Sequence, residues 1–439
     1  MRSRRQGSIQ PPAGASREPD RLDARVAGPA AGRESSIAPV PDPEPSTPAE
    51  AAAWLARNAV DSLPARALER KLAEGRVLRA KLGIDPTAPD IHLGHTVVLQ
   101  KLREFQDLGH TVVLIIGDFT ARVGDPSGRS ETRPVLSSEE IEHNARTYQE
   151  QAFKVLDSDR IEVRRNSEWL DMSMEELFRL MRHATVAQIV EREDFAKRLS
   201  AGEPVSVLEL LYPLLQGYDS VAIGADVELG GTEQKFNLLL GRDIQRAYGV
   251  AQQAILTMPL LPGVDGERKM SKSFDNYIGV TEPPAEMYGK TMSIPDTAIE
   301  SWYELLLGRR PDPETGPRDA KRALARALVD RFHGPGSGEQ AEAAFDRVHI
   351  RGEAPTELAV VQWPDGGTVH LPALLAMAFG VSTSDARRSL AQGGVRLDGS
   401  PVRQDVLDMP AEDLDGRVIQ LGKRRFARVR VDGANGRDL

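Results

Sequence analysis

The stretch TVVLIIGDF, residues 111–119, constrains the fold of this chain more than any other. A continuous apolar run of this kind reads as a strand covered on both faces, the situation of a central strand in a parallel sheet. Parallel neighbours need a long crossover between them, usually a helix, and the sequence supplies one. Residues 76–85 (RVLRAKLGID) are strand-like. The segment from Leu93 to Leu108 then carries Leu99, Leu102, Phe105 and Leu108 spaced by threes on one helical face, with Gly109 as a stop. Strand, helix and strand together form a βαβ unit, and ligands of such sheets sit beyond the carboxyl ends of the strands. Asp85, the turn HLGH at 92–95 and the loop GDPSGRSETR at 124–133 all fall at that edge.

A second βα unit repeats this logic, with a strand and turn at 226–231 and a helix at 232–248. Before it lies an apolar helix, VLELLYPLLQG at 207–217, which bears Tyr212 and Gln216 and which Asp219 closes. Residues 136–198 alternate helical patterns with one short strand, Ile161–Arg164. From 282 to 349 the pattern is mostly helical, broken at GRRPDPETGP, and residues 351–368 read as linker. Residues 369–431 read as a compact final domain of helices followed by a hairpin whose turn is Asp398-Gly399. The expected fold class is α/β. A Rossmann-like parallel-sheet domain (49–281) precedes an α-helical domain (282–350), the linker and a small α+β domain.

Composition narrows the function classes. No apolar run approaches the ~20 residues of a spanning helix, so no membrane association is expected. There is no cysteine in the 439 residues, which excludes disulfides, thiolate zinc sites and cysteine nucleophiles. Residues 1–48 hold nine prolines and hardly any large apolar side chain, a composition expected to stay disordered. This segment lacks the apolar core of a secretory signal, and Glu18, Asp20, Asp23 and Glu34 argue against an organellar transit peptide. The net charge of −9 does not suit a nucleic-acid binder as a whole. Between Gly416 and Arg430, however, there are six basic residues and no acidic one (Arg417, Lys423, Arg424, Arg425, Arg428, Arg430), the footprint of one domain docking RNA.

Two motifs carry the chemistry. His92 and His95 flank Leu93-Gly94 at a helix start, where unpaired N–H groups and the helix dipole favour phosphate. Far downstream, KMSKS (269–273) places Lys269 and Lys272 three apart in a Ser-rich, mobile setting. Imidazoles at a helix N-terminus and mobile ammonium groups make a cage for a polyphosphate leaving group. Taken alone, HxxH reads better as a chance pair, KMSKS as a solvated loop, and Tyr212 and Gln216 as core packing. The combination decides otherwise.

HLGH paired with KMSKS resembles the signature of class I aminoacyl-tRNA synthetases. Together with GIDPTAPDIHLGH, GDPSG, YPLLQGYD, GGTEQKFN and an S4-like RNA-binding pattern in the final domain, residues 50–431 are similar to the bacterial tyrosyl-tRNA synthetase family. The resemblance implies activation of L-tyrosine by ATP, with substrate-borne Mg2+ and no protein-held metal, followed by transfer to tRNA(Tyr). It also implies a cytoplasmic homodimer. By the same resemblance, His92, His95, Lys269, Lys272, Arg129 and Arg133 form the phosphate cage. Asp85, Thr87, Gly94, Glu233, Met270 and Ser271 match the ATP side. Asp125, Tyr212, Gln216, Asp219, Gln234 and Lys81 match the tyrosine side, and Arg387, Arg388, Lys423, Arg424 and Arg425 the RNA-binding face. Three positions depart from the best-studied branch: Lys81 stands for a Tyr that touches the substrate phenol, Arg129 for Lys, and Glu233 for Asp. A modified tyrosine substrate, an RNA-binding-only paralogue and a tryptophanyl enzyme are the alternatives.

Overall fold

The structure is a computed structural model that describes residues 45–87, 89–126, 137–351, 353–354, 358–364, 367–423 and 425–432. The tail expected to be disordered, up to residue 44, lies outside the described residues, as do Arg129, Arg133 and Arg424.

The first helix, α1 (Pro48–Ala56), is closed at its start by Thr47, whose hydroxyl accepts the Glu50 N–H in a capping box. A short edge strand β1 (Asp61–Leu63) and helix α2 (Ala67–Leu72) lead into β2 (Arg79–Ile84), α3 (Leu93–Asp107) and β3 (Thr111–Ile116), the expected βαβ unit. Gly109, at φ +81°, turns the chain after α3 in a conformation that favours glycine. All of Val112–Ile116 is buried, as a strand covered on both faces requires. Helix α4 (Ser138–Ala152) and strand β4 (Ile161–Arg165) follow, then the short helices α5 (Ser167–Leu170), α6 (Met174–Met181), α7 (Val186–Val190) and α8 (Glu193–Ser200).

Helix α9 (Val207–Ala222) precedes β5 (Val227–Gly231), α10 (Lys235–Ala247) and β6 (Ala254–Met258). The expectation that Asp219 closes α9 is corrected: the helix continues to Ala222, and Asp219 lies in its interior with 3% exposure. Gly217 does not stop the helix because it packs against Gly241 and Ile244 of α10, where a larger side chain would crowd.

The six strands run in the order β1-β6-β5-β2-β3-β4, parallel except for β1 on β6. Strand β2 passes through α3 to β3 on one side, and β5 passes through α10 to β6 on the other. The crossovers diverge at β2 and β5, so a crevice opens at the carboxyl ends of these two strands, where such sheets bind ligands.

Beyond the sheet, α11 (Pro284–Ser293), α12 (Ile299–Leu307), α13 (Pro317–His333) and α14 (Ser337–His349) form the helical segment. Its apolar side chains, Trp302, Tyr303 and Leu328 among them, belong to the same buried cluster as Leu99, Leu102 and Phe105 of α3. The last part has its own core around Leu374, Leu390, Val395, Ile419 and Val429. It comprises β7 (Val360–Trp363), β8 (Thr368–His370), α15 (Leu371–Phe379), α16 (Thr383–Ala391), β9 (Val395–Leu397), β10 (Ser400–Pro401), β11 (Asp408–Pro410), β12 (Val418–Leu421) and β13 (Arg425–Val431). Asp398 and Gly399, both at positive φ, make the expected β9–β10 hairpin turn. The linker expected over 351–368 is shorter than that reading: Val360–Trp363 pairs in parallel with β13 and covers an edge that would otherwise expose unpaired backbone groups.

Candidate active site

One cavity of about 600 Å3 opens at the carboxyl ends of β2 and β5. The HLGH turn and the KMSKS loop both line it, and backbone bonds stitch the two regions together. His92 bridges Gly279, the Leu93 N–H donates to the Ile278 carbonyl at 2.9 Å, and the Val280 N–H donates to Ile91 at 3.0 Å. Residues 278–280 follow directly on the KMSKS loop, so the pairing carries the lysines to the start of α3.

At this end the groups suit a polyanion. The His92 and His95 rings lie 3.8 Å apart, and the His92 N–H donates to His95 Nδ1 at 3.2 Å, so the proton of a neutral His95 ring sits on Nε2. Burial, with the Lys272 charge added, lowers the His95 pKa to about 4. Burial, His95 and both lysines push His92 far down as well. Both imidazoles are therefore neutral donors at pH 7. A side chain at Gly94 would press on the His92 ring, which is why the turn carries glycine. Lys272 Nζ lies 3.5 Å from Asp90 Oδ2, and its own pKa is lowered by desolvation. The loop is held here by a set of hydrogen bonds to Asn276. Asn276 Oδ1 accepts the Ser271 N–H at 2.8 Å, while its Nδ2 donates to Asp265 at 3.0 Å and to the Lys269 carbonyl at 3.1 Å. Met270 is buried, with its N–H on the Leu261 carbonyl. Thr87 and Ser271 line the cavity, as does Glu233, whose Oε2 is buried without a hydrogen-bond partner among the described residues.

The other end carries carboxylates. Asp85 accepts from Thr120 Oγ1 at 2.7 Å and from the Tyr212 hydroxyl at 2.9 Å. Burial raises its pKa to about 7, against the lowering effect of these bonds, and the nearby Asp125 and Asp219 add to the rise. Asp219 accepts the Trp169 indole N–H at 2.8 Å. Burial raises it to about 6, and Lys81 is the foremost influence holding it down. Asp125 accepts from Gln234 Nε2 at 2.7 Å and lies 3.6 Å from the Arg192 guanidinium. Asn237 ties the pocket together, donating to Gln216 Oε1 at 2.9 Å and to Gln234 Oε1 at 3.1 Å.

Asp125, Tyr212, Gln216, Asp219 and Gln234 thus line one cavity with the phosphate-end residues, while Lys81 does not. It is fully buried behind Gln216, on Glu228 Oε1 at 2.8 Å, Ser220 Oγ at 2.8 Å and the Gln216 carbonyl at 3.1 Å. With all three ammonium protons engaged, it offers none to a ligand, so its expected place among tyrosine-contacting residues is corrected to one behind the pocket wall. Sequence reasoning missed Thr120, Asn166, Trp169, Arg192, Asn237 and Asn276. Asn166 donates to Thr120 Oγ1 at 2.9 Å and accepts the Phe119 N–H at 3.0 Å, which secures the support of Asp85.

The basic residues of the last part differ among themselves. Arg388 pairs with Asp385, and Arg417 lies 2.6 Å from Asp398. Arg387 reaches His370 at 3.4 Å, while exposed Arg425 lies over the Phe379 ring with Lys423 nearby in sequence, also exposed.

A family model, tRNA synthetases class I (W and Y), matches residues 73–349, and the chain belongs to this family. Within it, curated relatives point to one branch. The tyrosine–tRNA ligase of Bordetella avium is 51% identical over 85% of this chain and 93% of its own length. That of Moorella thermoacetica is 51% identical over 82% and 90%, and that of Thermotoga maritima 48% over 87% and 98%. The fold is similar to that of the tyrosyl-tRNA synthetase of Archaeoglobus fulgidus solved with L-tyrosine, with a TM-score of 0.56 and 23% identity over 67% of this chain and 99% of that one.

Proposed function

We propose that the chain is a tyrosine–tRNA ligase. It activates L-tyrosine with ATP to tyrosyl-adenylate and pyrophosphate, and then transfers the tyrosyl group to the 3′-terminal adenosine of tRNA(Tyr). The carrying observation is one cavity with two chemically opposite ends, imidazoles and ammonium groups at one and carboxylates at the other.

The tyrosine carboxylate attacks the α-phosphorus in line, and pyrophosphate leaves toward the His92, His95, Lys269 and Lys272 end. Neutral imidazoles donate hydrogen bonds to the phosphate oxygens, while the lysines supply the charge that stabilises the departing pyrophosphate. Arg129 and Arg133 are assigned to the same task. Magnesium comes with the ATP and neutralises its phosphates. Asp85, Thr87, Gly94, Glu233, Met270 and Ser271 serve the nucleotide. Asp125, Tyr212, Gln216 and Gln234 hold the tyrosine ammonium and its surroundings. Asp219 accepts the phenol hydrogen; an analogue without the hydroxyl leaves that buried carboxylate unpaired, which is how the pocket rejects it. No covalent enzyme intermediate is needed, so catalysis rests on positioning and electrostatics.

The last part of the chain acts as an S4-like RNA-binding domain, with Lys423, Arg424 and Arg425 as its main phosphate contacts and Arg387 and Arg388 beside them. The exposed apolar residues Met174, Phe178, Val186 and Val207 support a homodimer that covers them. No helix among the described residues is long and apolar enough to cross a membrane, and the enzyme works in the cytoplasm.

The test is amino-acid-dependent ATP–pyrophosphate exchange with tyrosine, ring-modified tyrosines, phenylalanine and tryptophan. Exchange with tyrosine is expected. Exchange with tryptophan alone would move the chain to the other branch of its family, and no exchange with any of them would leave an RNA-binding role.

A further inference from the structure

We infer that Lys81 and Glu228 form a buried positioning pair that fixes the phenol end of the tyrosine pocket and keeps Asp219 an acceptor; the inference rests on the tyrosine reading above. The two residues are register partners on β2 and β5, the strands at the divergence point of the sheet. Both are essentially unexposed, at 0% and 1%. A lysine and a glutamate so deeply buried are retained only when paired and fully hydrogen-bonded. Here they are. Glu228 Oε1 takes the Lys81 ammonium and, at 3.3 Å, Gln216 Nε2; Oε2 takes the Ser220 hydroxyl at 3.0 Å and the Gln253 amide.

The geometry says what the pair acts on. The Lys81 ammonium does not stop at its strand neighbour. It donates to the Gln216 carbonyl and the Ser220 hydroxyl, one turn apart on α9. Asp219 lies within that turn, and Gln216 and Asp219 are its two residues that line the cavity. The pair therefore pins one helical turn to the two central strands and sets how far both side chains reach into the slot. It also puts a cation immediately behind a carboxylate that must stay ionised to accept from a phenol.

The other groups facing Asp219 do not supply that cation. Asp85 beyond β2 and Glu228 on β5 are acids, and Asp125 beyond β3 is a third, though more remote. Tyr212 on α9 is a phenol whose proton goes to Asp85, and Trp169 and Asn166 are neutral donors. Lys81 is thus the cation facing the phenol end from the described residues packed around Asp219. It works through Asp219 and Gln216 and touches no substrate.

Replacing Lys81 alone leaves Glu228 buried without its counter-ion and risks unfolding, so the informative variant removes both charges, Lys81→Met with Glu228→Gln. The full-length protein is assayed by exchange from pH 5.5 to 8.5, varying tyrosine and ATP separately, with circular dichroism to check the fold. The wild type must first show tyrosine-dependent exchange; if it does not, the tyrosine reading fails on its own. For the double variant we expect the KM for tyrosine to rise about 10-fold or more, with the KM for ATP within about twofold. The pH below which tyrosine binding weakens should move upward, by less than the loss of Lys81 alone would give because Glu228 acts on Asp219 in the opposite sense, and discrimination against phenylalanine should fall. A tyrosine KM within twofold of wild type, an unmoved pH profile, or equal losses for tyrosine and ATP would each overturn the inference.

Discussion

Asp85→Asn should make this protein more stable and less active, and the gain should depend on pH. The Asp85 carboxyl sits at the carboxyl end of β2 among Thr120, Tyr212 and two further acids, and its pKa rises from 3.8 to about 7. An asparagine keeps the shape. Its carbonyl can still accept from Thr120 and its amide can donate to the Tyr212 oxygen, so the substitution isolates the charge. Three pH units correspond to at most ~4 kcal/mol at ~1.4 kcal/mol per unit. Asp85 is only half-buried and faces an open cavity, so solvent screening reduces the figure to about 1–2 kcal/mol. The sign follows from proton binding. Below pH 3.8 the carboxyl is neutral in both states and contributes nothing. Between 3.8 and about 7 the unfolded chain ionises first, so the native state loses stability as the pH rises, and above about 7 the full penalty stands. Thermal unfolding of both proteins, followed on the transition that tyrosine shifts, should show no difference near pH 4. The variant should lead by about 2–3 °C at pH 8, while exchange activity falls because the group faces the substrates. A difference that is constant with pH, or a variant less stable at pH 8, would refute the reasoning.

Trp169→Phe removes the indole N–H from the Asp219 carboxylate, a bond of the charged class that is worth ~1.5–3 kcal/mol. The KM for tyrosine should rise about 10-fold or more in steady-state exchange, with the KM for ATP unchanged. Gly117→Ala places a methyl group onto the Asp85 carboxylate and the Thr120 hydroxyl. It should abolish exchange while far-ultraviolet circular dichroism stays native. Asp90→Asn frees Lys272 from its ion pair. An exposed pair is worth ~0.2–1 kcal/mol, so the KM for ATP should fall by up to about fivefold at low salt and the effect should fade at high salt. Charge reversal at Lys423 and Arg425 should weaken tRNA charging most at low salt, with the loss shrinking as salt rises, and leave exchange untouched.

What the sequence made legible is what is local. The apolar run at β3, the threefold stripe of α3 and the hairpin turn at Asp398-Gly399 each carry their own period or turn chemistry, and the structure places them within a few residues of expectation. HLGH and KMSKS were legible because each is a short constellation with a single chemical purpose. The supports were not. Trp169 and Thr120 act on carboxylates 50 and 35 residues away, and nothing near either residue in sequence marks it. Lys81 and Glu228 are 147 residues apart, so nothing in the sequence pairs them until β2 and β5 are known to be neighbours, and the resemblance places Lys81 at the substrate instead. Asp219 was misread as a helix stop because Gly217 and an acid are ordinary end signals; the packing of Gly217 on α10 overrides them. Val360–Trp363 escaped for a similar reason, since its partner β13 lies some 70 residues on.

The two ends of the cavity explain each other. In the proposed reaction the enzyme must hold a zwitterion against a polyanion, and a cavity of uniform charge would attract one and repel the other. Dividing the charge lets the field orient both. The acids draw the ammonium and the phenol proton, the lysines draw the phosphates, and the amino-acid carboxylate is left between them, facing the α-phosphorus. This division has a structural cost, because like charges at each end raise or lower one another's pKa, as Asp125 and Asp219 do for Asp85 and the lysines do for His92. The fold tempers that cost differently at each end. At the phosphate end the rings remain uncharged, so only the lysines repel. At the acid end each carboxyl is given donors: Thr120 and Tyr212 for Asp85, Trp169 for Asp219, Gln234 for Asp125. Asp219, the most deeply buried of the three, also has the Lys81 cation behind it. The neutral donors arrive from the turn after β3 (Thr120), from α5 (Trp169), from α9 (Tyr212) and from the turn before α10 (Gln234). On this reasoning the ion pair and the active-site carboxylates belong to one electrostatic unit: neutralising Lys81 or Glu228 changes the pH at which Asp219 titrates, and neutralising Asp125 or Asp219 changes that of Asp85.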